Sequence, residues 1–135
     1  MNYKKCILTV IAVFIVANVL GMVIHALLLA PDYAKVPNLY RPKDGILLFW
    51  INVAYLAFAI GATWIYSKGV EANRPWMGQG LRFGLALWLV LAVPSFVMAY
   101  AVQPMPSSLM LKQVGYELVG KLLIGLVIAA LYREA

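Results

Sequence analysis

Three titratable side chains, His25, Glu117 and Lys121, sit inside stretches that are otherwise apolar. A charge at the centre of a bilayer costs roughly 2.5–3.5 kcal/mol on insertion scales, so each of these groups needs a partner or a task. Asn18, Asn52 and Tyr55 are the uncharged polar residues in comparable positions. Spacings of three and four coincide on a helix, so Asn52 and Tyr55 share one face and Glu117 and Lys121 share another. By the same rule Phe14, Asn18, Gly21, Met22 and His25 line one face of the first apolar run. Turned inward, these faces make one polar cluster opening toward the outer half of a membrane bundle. Two kinds of chemistry fit it. A structural network pairs Glu117 with Lys121 and ties helices through His25, Asn18 and Asn52, at roughly 0.6–2 kcal/mol per interhelical bond. A proton or solute site uses His25 and Glu117 as titrating partners, since a carboxylate beside a histidine strengthens its hold on a proton.

Other chemistries lack their residues. The single cysteine, Cys6, excludes an intrachain disulfide, a CxxC redox pair and a multi-cysteine zinc site. With one histidine besides, neither a metal nor a cofactor is expected. Ser95 falls on the wrong half of the membrane for His25, so no Ser–His–Asp arrangement forms and catalysis is not expected. GQGLRFG, Gly78–Gly84, has no preceding strand and lacks the lysine–serine/threonine ending of a phosphate loop. Arg82 within it is better suited to anchoring lipid phosphates.

The elements that position these groups follow from hydropathy. Of the 135 residues, 64% are apolar and only 12% charged, against roughly 25% charged in an average soluble domain. The mean hydropathy of +0.88 comes from long uninterrupted apolar runs, the signature of a membrane protein. The net charge of +6 is carried by single basic residues at the ends of those runs, which excludes nucleic acid and points to anionic headgroups as the counter-charge. MNYKK before an apolar run resembles a secretory signal, but the 25 residues from Cys6 to Ala30 exceed an h-region of roughly 7–15, so a retained helix is expected.

The reading is an all-α integral membrane bundle of four antiparallel helices in one transmembrane domain, over about 6–30, 45–67, 82–101 and 110–133. Pro31 is expected to stop the first helix, and the polar stretches 31–44, 68–81 and 103–108 to be loops. Trp50 at one end of the second helix, and Trp64 and Tyr66 at the other, read as aromatic belts. Lys4, Lys5, Lys68, Arg74, Arg82 and Arg133 fall on one side, and Lys35, Arg41, Lys43 and Lys112 on the other. That bias favours both termini in the cytoplasm. Small-residue pairs at spacing four, Ala17/Gly21, Ala57/Gly61, Gly80/Gly84 and Gly125/Ala129, allow close helix approach. Pro94 should kink the third helix and leave the Val90 carbonyl short of a donor.

GMVIHALLLAPDY at the end of the first helix, GQGLRFG before the third and the QPMP break before the fourth resemble uncharacterised small four-helix inner-membrane proteins of bacteria. The likeness implies a multi-pass protein of the cytoplasmic membrane and no particular chemistry. The chain does not resemble the small multidrug exporters, whose first helix carries a glutamate, or vitamin K reductase-like bundles, which need a CxxC. Two functions follow from the residues: a structural or interaction protein, self-associating or accessory to a larger membrane complex, and a proton-linked transporter or channel for a small solute, working as a homodimer.

Overall fold

In hydrocarbon a backbone is satisfied only in helices or a closed barrel, and apolar runs of about 20 residues and more are of helix length. The computed structural model, which describes residues 2–133, is all-α. Four stretches are long and apolar enough to cross a membrane: Tyr3–Leu28, Leu48–Gly69, Trp76–Val102 and Ser107–Tyr132. The first span is α1 (Tyr3–Gly21) continued by a π-helical segment, Met22–Leu28; a short helix α2 (Ala30–Ala34) follows. The second span is α3 (Leu48–Gly69). The third is α4 (Trp76–Leu87), a π-helical segment Trp88–Ala92, and α5 (Val93–Val102); the fourth is α6 (Ser107–Tyr132).

The fourth span is the most enclosed. A third of its most apolar stretch is buried, against 11–22% for the others, and it packs on both the first and the third spans. The second leans mainly on the first, and it does not pack closely along the third. Lys5 Nζ donates to the Arg133 carbonyl at 3.2 Å, so the start of the first span and the close of the fourth lie at one end of the bundle. That end is closed by a core containing Val13, Ala59, Leu87 and Ile128. At the opposite end Leu29, Met105 and Leu109 are buried together, with Tyr33 and Leu39 folded over them.

The third span begins at Trp76, so the glycine-rich stretch expected as a loop is helical. Its glycines are a contact surface. A Cβ on Gly80 would come within 2.8 Å of the Gly125 carbonyl oxygen, and one on Gly84 within 2.8 Å of the Leu122 Cα. Gly80/Gly84 therefore meet Gly125/Ala129 backbone to backbone, the close approach that small residues permit. Ala57/Gly61 do no such thing, because a Cβ on Gly61 meets nothing within 4 Å. Gln79, buried beside this seam, holds the preceding connection: its amide donates to the Glu71 and Arg74 carbonyls at 2.8 and 3.0 Å, and its Oε1 accepts from the Glu71 N–H at 2.8 Å.

Each proline has a further role beside the one expected of it. Pro31 lies at the start of α2, where a missing N–H costs nothing, so it begins a helical turn beyond the span. Pro94 likewise sits in the first turn of α5, directly after the wide π-helical turns, and the Val93 N–H reaches the Trp88 carbonyl. The i→i+5 pattern absorbs the break that a proline makes in an α-helix. Trp50 and Trp64 face outward as belt residues should, with 63% and 54% of their surface exposed. Tyr66 does not: it is buried, its ring 5.2 Å from that of Phe83 and 5.9 Å from that of Tyr132.

Candidate functional site

Glu117 is the centre of the polar residues inside the bundle. It lies on the buried face of α6, and both carboxylate oxygens are engaged. Oε1 is 3.2 Å from His25 Nε2, across from the first span, and Oε2 is 2.5 Å from Lys121 Nζ, one turn along its own helix. The Lys121 ammonium also lies 5.4 Å from the centre of the Phe58 ring on α3, a cation–π contact. Lys121 and Glu117 share a face because of their four-residue spacing. His25 reaches them from the π-helical segment of the first span, whose extra residue per turn shifts the side-chain phase. The buried face of this span runs through Val13, Ala17 and Ile24, so Met22, expected on the inward face, is turned away from it and 65% exposed.

The other imidazole nitrogen is also occupied. His25 Nδ1 is 2.7 Å from the Tyr33 hydroxyl, which α2 folds back over the end of the first span. Gln113 of α6 donates its amide to the Tyr33 and Tyr40 hydroxyls at 3.3 and 3.4 Å. Burial pushes the Tyr33 phenol up to about 12, so it stays an O–H donor at ordinary pH. The phenol then donates to Nδ1 while Nε2–H donates to Glu117, and a neutral imidazole is satisfied at both nitrogens. A protonated imidazole is served as well. Nδ1–H then donates to the Tyr33 oxygen, and Tyr33 hands its own hydrogen to Gln113 once that amide turns over. The Gln113 Oε1 that would receive it is buried and without a partner as the amide now stands.

Glu117, Lys121 and His25 line a cavity of about 470 Å³ within the membrane-spanning part of the bundle. Its walls are otherwise mainly apolar and aromatic: Leu20 and Ile24 from the first span, Phe58 from α3, Leu91 and Phe96 from the third span, and Ile124 from α6. Both π-helical segments contribute residues to it, and Ser95, expected on the other half of the membrane from His25, is on its wall as well. Tyr55 lines it too, its hydroxyl in the space that Gly21 leaves by having no side chain. No hydrogen-bond partner of the Tyr55 hydroxyl occurs among the described residues. The second and third spans meet through Tyr66 and Phe83 at the end where Lys5 and Arg133 lie and are not closely packed beyond it, which leaves the room for the cavity.

Of the polar residues read from the sequence, four come together: His25, Glu117, Lys121 and Tyr55. The two asparagines do not join them. Asn18 Nδ2 donates to the Phe14 carbonyl at 3.0 Å, and the exposed Asn52 donates to the Leu48 carbonyl at 2.9 Å. Each amide meets its hydrogen-bonding need on its own helix, four residues back, and ties no helices together. Arg82 lies at the far end, 2.8 Å from Glu71 Oε1, with Arg74 on the other oxygen at 2.7 Å. Tyr33, Gln113 and Tyr40 were not singled out by sequence, because their role depends on α2 folding back over the bundle. Among the described residues no three His, Cys, Asp or Glu side chains gather to hold a metal ion.

At the rim, Lys112 Nζ is 2.9 Å from Asp32 Oδ1 and pins α2 to α6. That hydrogen bond holds the Asp32 carboxyl below its ordinary 3.8. A depressed carboxyl stabilises the fold above the unfolded value, and the contribution is lost as pH falls through the folded one. Asp32→Asn should therefore lower the melting temperature slightly at pH 7 and make no difference once pH falls well below 3.8. Paired melts at the two pH values check it; an equal gap at both would mean the pair contributes nothing electrostatic.

Compared with protein-family models, with curated proteins and with solved structures, the chain matches none. What the fold and composition define is a small multi-pass membrane protein of four packed helices in contact with a lipid bilayer.

Proposed function

We propose that the protein carries a small solute across the membrane in step with a proton, the cavity holding the solute and the His25–Glu117 pair taking the proton. The observation that carries this reading is the cavity itself: about 470 Å³ with a histidine, a carboxylate and an ammonium on its wall. Groups that serve only to glue helices are packed shut, since close packing is what gives interhelical hydrogen bonds their value. A void beside three ionisable groups is poor packing, and it is a usual form for a small-molecule site. Through Tyr33, which Gln113 holds together with Tyr40, the imidazole is tied to the rim.

The test is proton movement on addition of solute to protein reconstituted in vesicles with a trapped pH indicator. Wild type should acidify or alkalise the lumen with some members of a panel of small acids, amines and neutral solutes. His25→Gln should remove the response while melting within a few degrees of wild type. If folded wild type responds to none of them, the cluster is a packing network, and the protein is a structural or accessory component of a larger membrane assembly.

The membrane in this reading is the bacterial cytoplasmic membrane, with both chain ends inside and the rim carrying Tyr33 and Lys112 outside. The basic residues at the inner end support that orientation. Arg82, although paired with Glu71, keeps the exposure that contact with a lipid phosphate needs. So few helices also favour a homodimer. Cysteines placed at Asn38 and Ser107 should react with an impermeant thiol reagent from outside, and one at Asn73 should not. Labelling at Asn73 alone would invert the orientation.

A further inference from the structure

We propose that the solute is a monoanionic carboxylate with an apolar body, which enters the cavity together with one proton; this rests on the proton-linked reading above. Charge balance is the first argument. With a neutral imidazole, Glu117 and Lys121 cancel and the site carries no net charge. An anion entering alone leaves a net negative charge in a low-dielectric interior, which is strongly unfavourable. An anion that arrives as His25 gains a proton leaves the site neutral again. The proton bonds to an imidazole nitrogen, no bond of the solute breaks, and nothing is oxidised or reduced.

The second argument is hydrogen-bonding capacity. Both oxygens of Glu117 are already engaged, by His25 and by Lys121. What remains open to the cavity is donors: the further N–H groups of Lys121 and the Tyr55 hydroxyl. An ammonium ligand would meet Lys121 and find the one carboxylate taken. A carboxylate meets an ammonium and a phenol. The third argument is shape. Phe58, Phe96, Leu91 and Ile124 suit a short aliphatic or aromatic body far better than a hydrated inorganic anion.

The groups facing His25 decide whether the coupling can work. Glu117, Lys121 and Gln113 face it or its partner Tyr33 from α6, Tyr33 from α2, and Tyr55 lines the same cavity from α3. The third span contributes Ser95 and Phe96 and nothing that titrates, and the Ser95 hydroxyl is spent on the Leu91 carbonyl. Asp32 and Lys112 pair with each other at the rim. Among these side-chain types the imidazole is the one whose charge ordinarily changes near neutral pH.

The experiment is calorimetric titration of the protein in lipid nanodiscs, with empty discs subtracted, at pH 7.5 in buffers of different ionisation enthalpy. The probes are sodium hexanoate, sodium dodecanoate, hexylammonium chloride and hexanol. The carboxylates should bind with uptake of about one proton each, and hexylammonium and hexanol should bind far more weakly. Lys121→Gln should weaken carboxylate binding at least about tenfold, and Lys121→Arg should restore most of it. Preference for hexanoate identifies a water-borne acid and preference for dodecanoate a fatty acid from the bilayer; either supports the assignment. Carboxylate binding without proton uptake overturns it, as does tighter binding of hexylammonium. If hexylammonium binds with proton release that His25→Gln removes, proton coupling stands and only the anion assignment fails. If no probe of any charge binds, both fail.

Discussion

Gly125→Val should leave the third and fourth spans unable to dock. A side chain at 125 would drive into the backbone of the facing helix, 2.7 Å from the Gly84 nitrogen and 2.8 Å from its Cα. Backbone cannot turn aside as a flexible side chain can, so the helices must separate along the whole seam. Overpacking a core costs roughly 1–3 kcal/mol in general, and here the top of that range or beyond is expected, because Gly80 and Gly84 lose their contact together. Gly61→Ala is the matched control: the new methyl meets nothing within 4 Å and should cost almost nothing, with a small gain in helix propensity. Both variants can be compared by unfolding in mixed detergent. Similar stability for the two would mean that the seam is not where the fold is held.

The second large effect concerns the charge trio. Lys121→Ala leaves Glu117 with only His25 against its charge, and removing one partner of a buried pair costs about 3–5 kcal/mol. The double change Lys121→Ala, Glu117→Ala should cost less than the single one, although it removes more atoms, because no uncompensated charge remains. Adding His25→Gln to the double variant should cost only what the imidazole's contacts with Tyr33 contribute, since its partner on α6 is then gone. Equal and small losses in the single and double variants would mean that all three groups are fully hydrated, and that the cavity is a water-filled channel and not a desolvated site.

The parts of this protein that sequence reveals are those governed by local rules. Four spans follow from hydropathy, and Glu117 and Lys121 meet because four residues make about one turn. His25 also reaches Glu117, the titrating partner the sequence suggested for it, even though the helix bearing it is wide-turned. Where the reading departs from the structure, a non-local cause operates. Gly78–Gly84 looks like a loop until α6 supplies a backbone for its glycines to lie against. Pro31 looks like a terminator until the turn it begins is seen to carry Tyr33 back to His25. Asn52 shares a face with Tyr55, but at this end the second span stands away from the third, and the asparagine is left to bond its own helix. The π-helical segments leave no trace in the periodicity of so uniformly apolar a chain, and the same uniformity hides that Val13, Ala17 and Ile24 centre the buried face, with Met22 off it.

The small buried fraction of each span has a consequence for how this protein can change over time. Between two thirds and nine tenths of the most apolar stretch of each helix is not buried, and there leucine, isoleucine, valine and phenylalanine are interchangeable at little energetic cost. Drift at those positions is nearly free. Substitution is resisted at a handful of others: Gly80, Gly84 and Gly125 in the seam, Gln79 behind it, and His25, Tyr33, Glu117 and Lys121 around the cavity. The identity of the molecule is thus written in a few letters set at long intervals in an otherwise permissive text. A distant relative would share those letters and their intervals, including the histidine some eight residues before a tyrosine and the glutamate one turn before a lysine, while agreeing almost nowhere else.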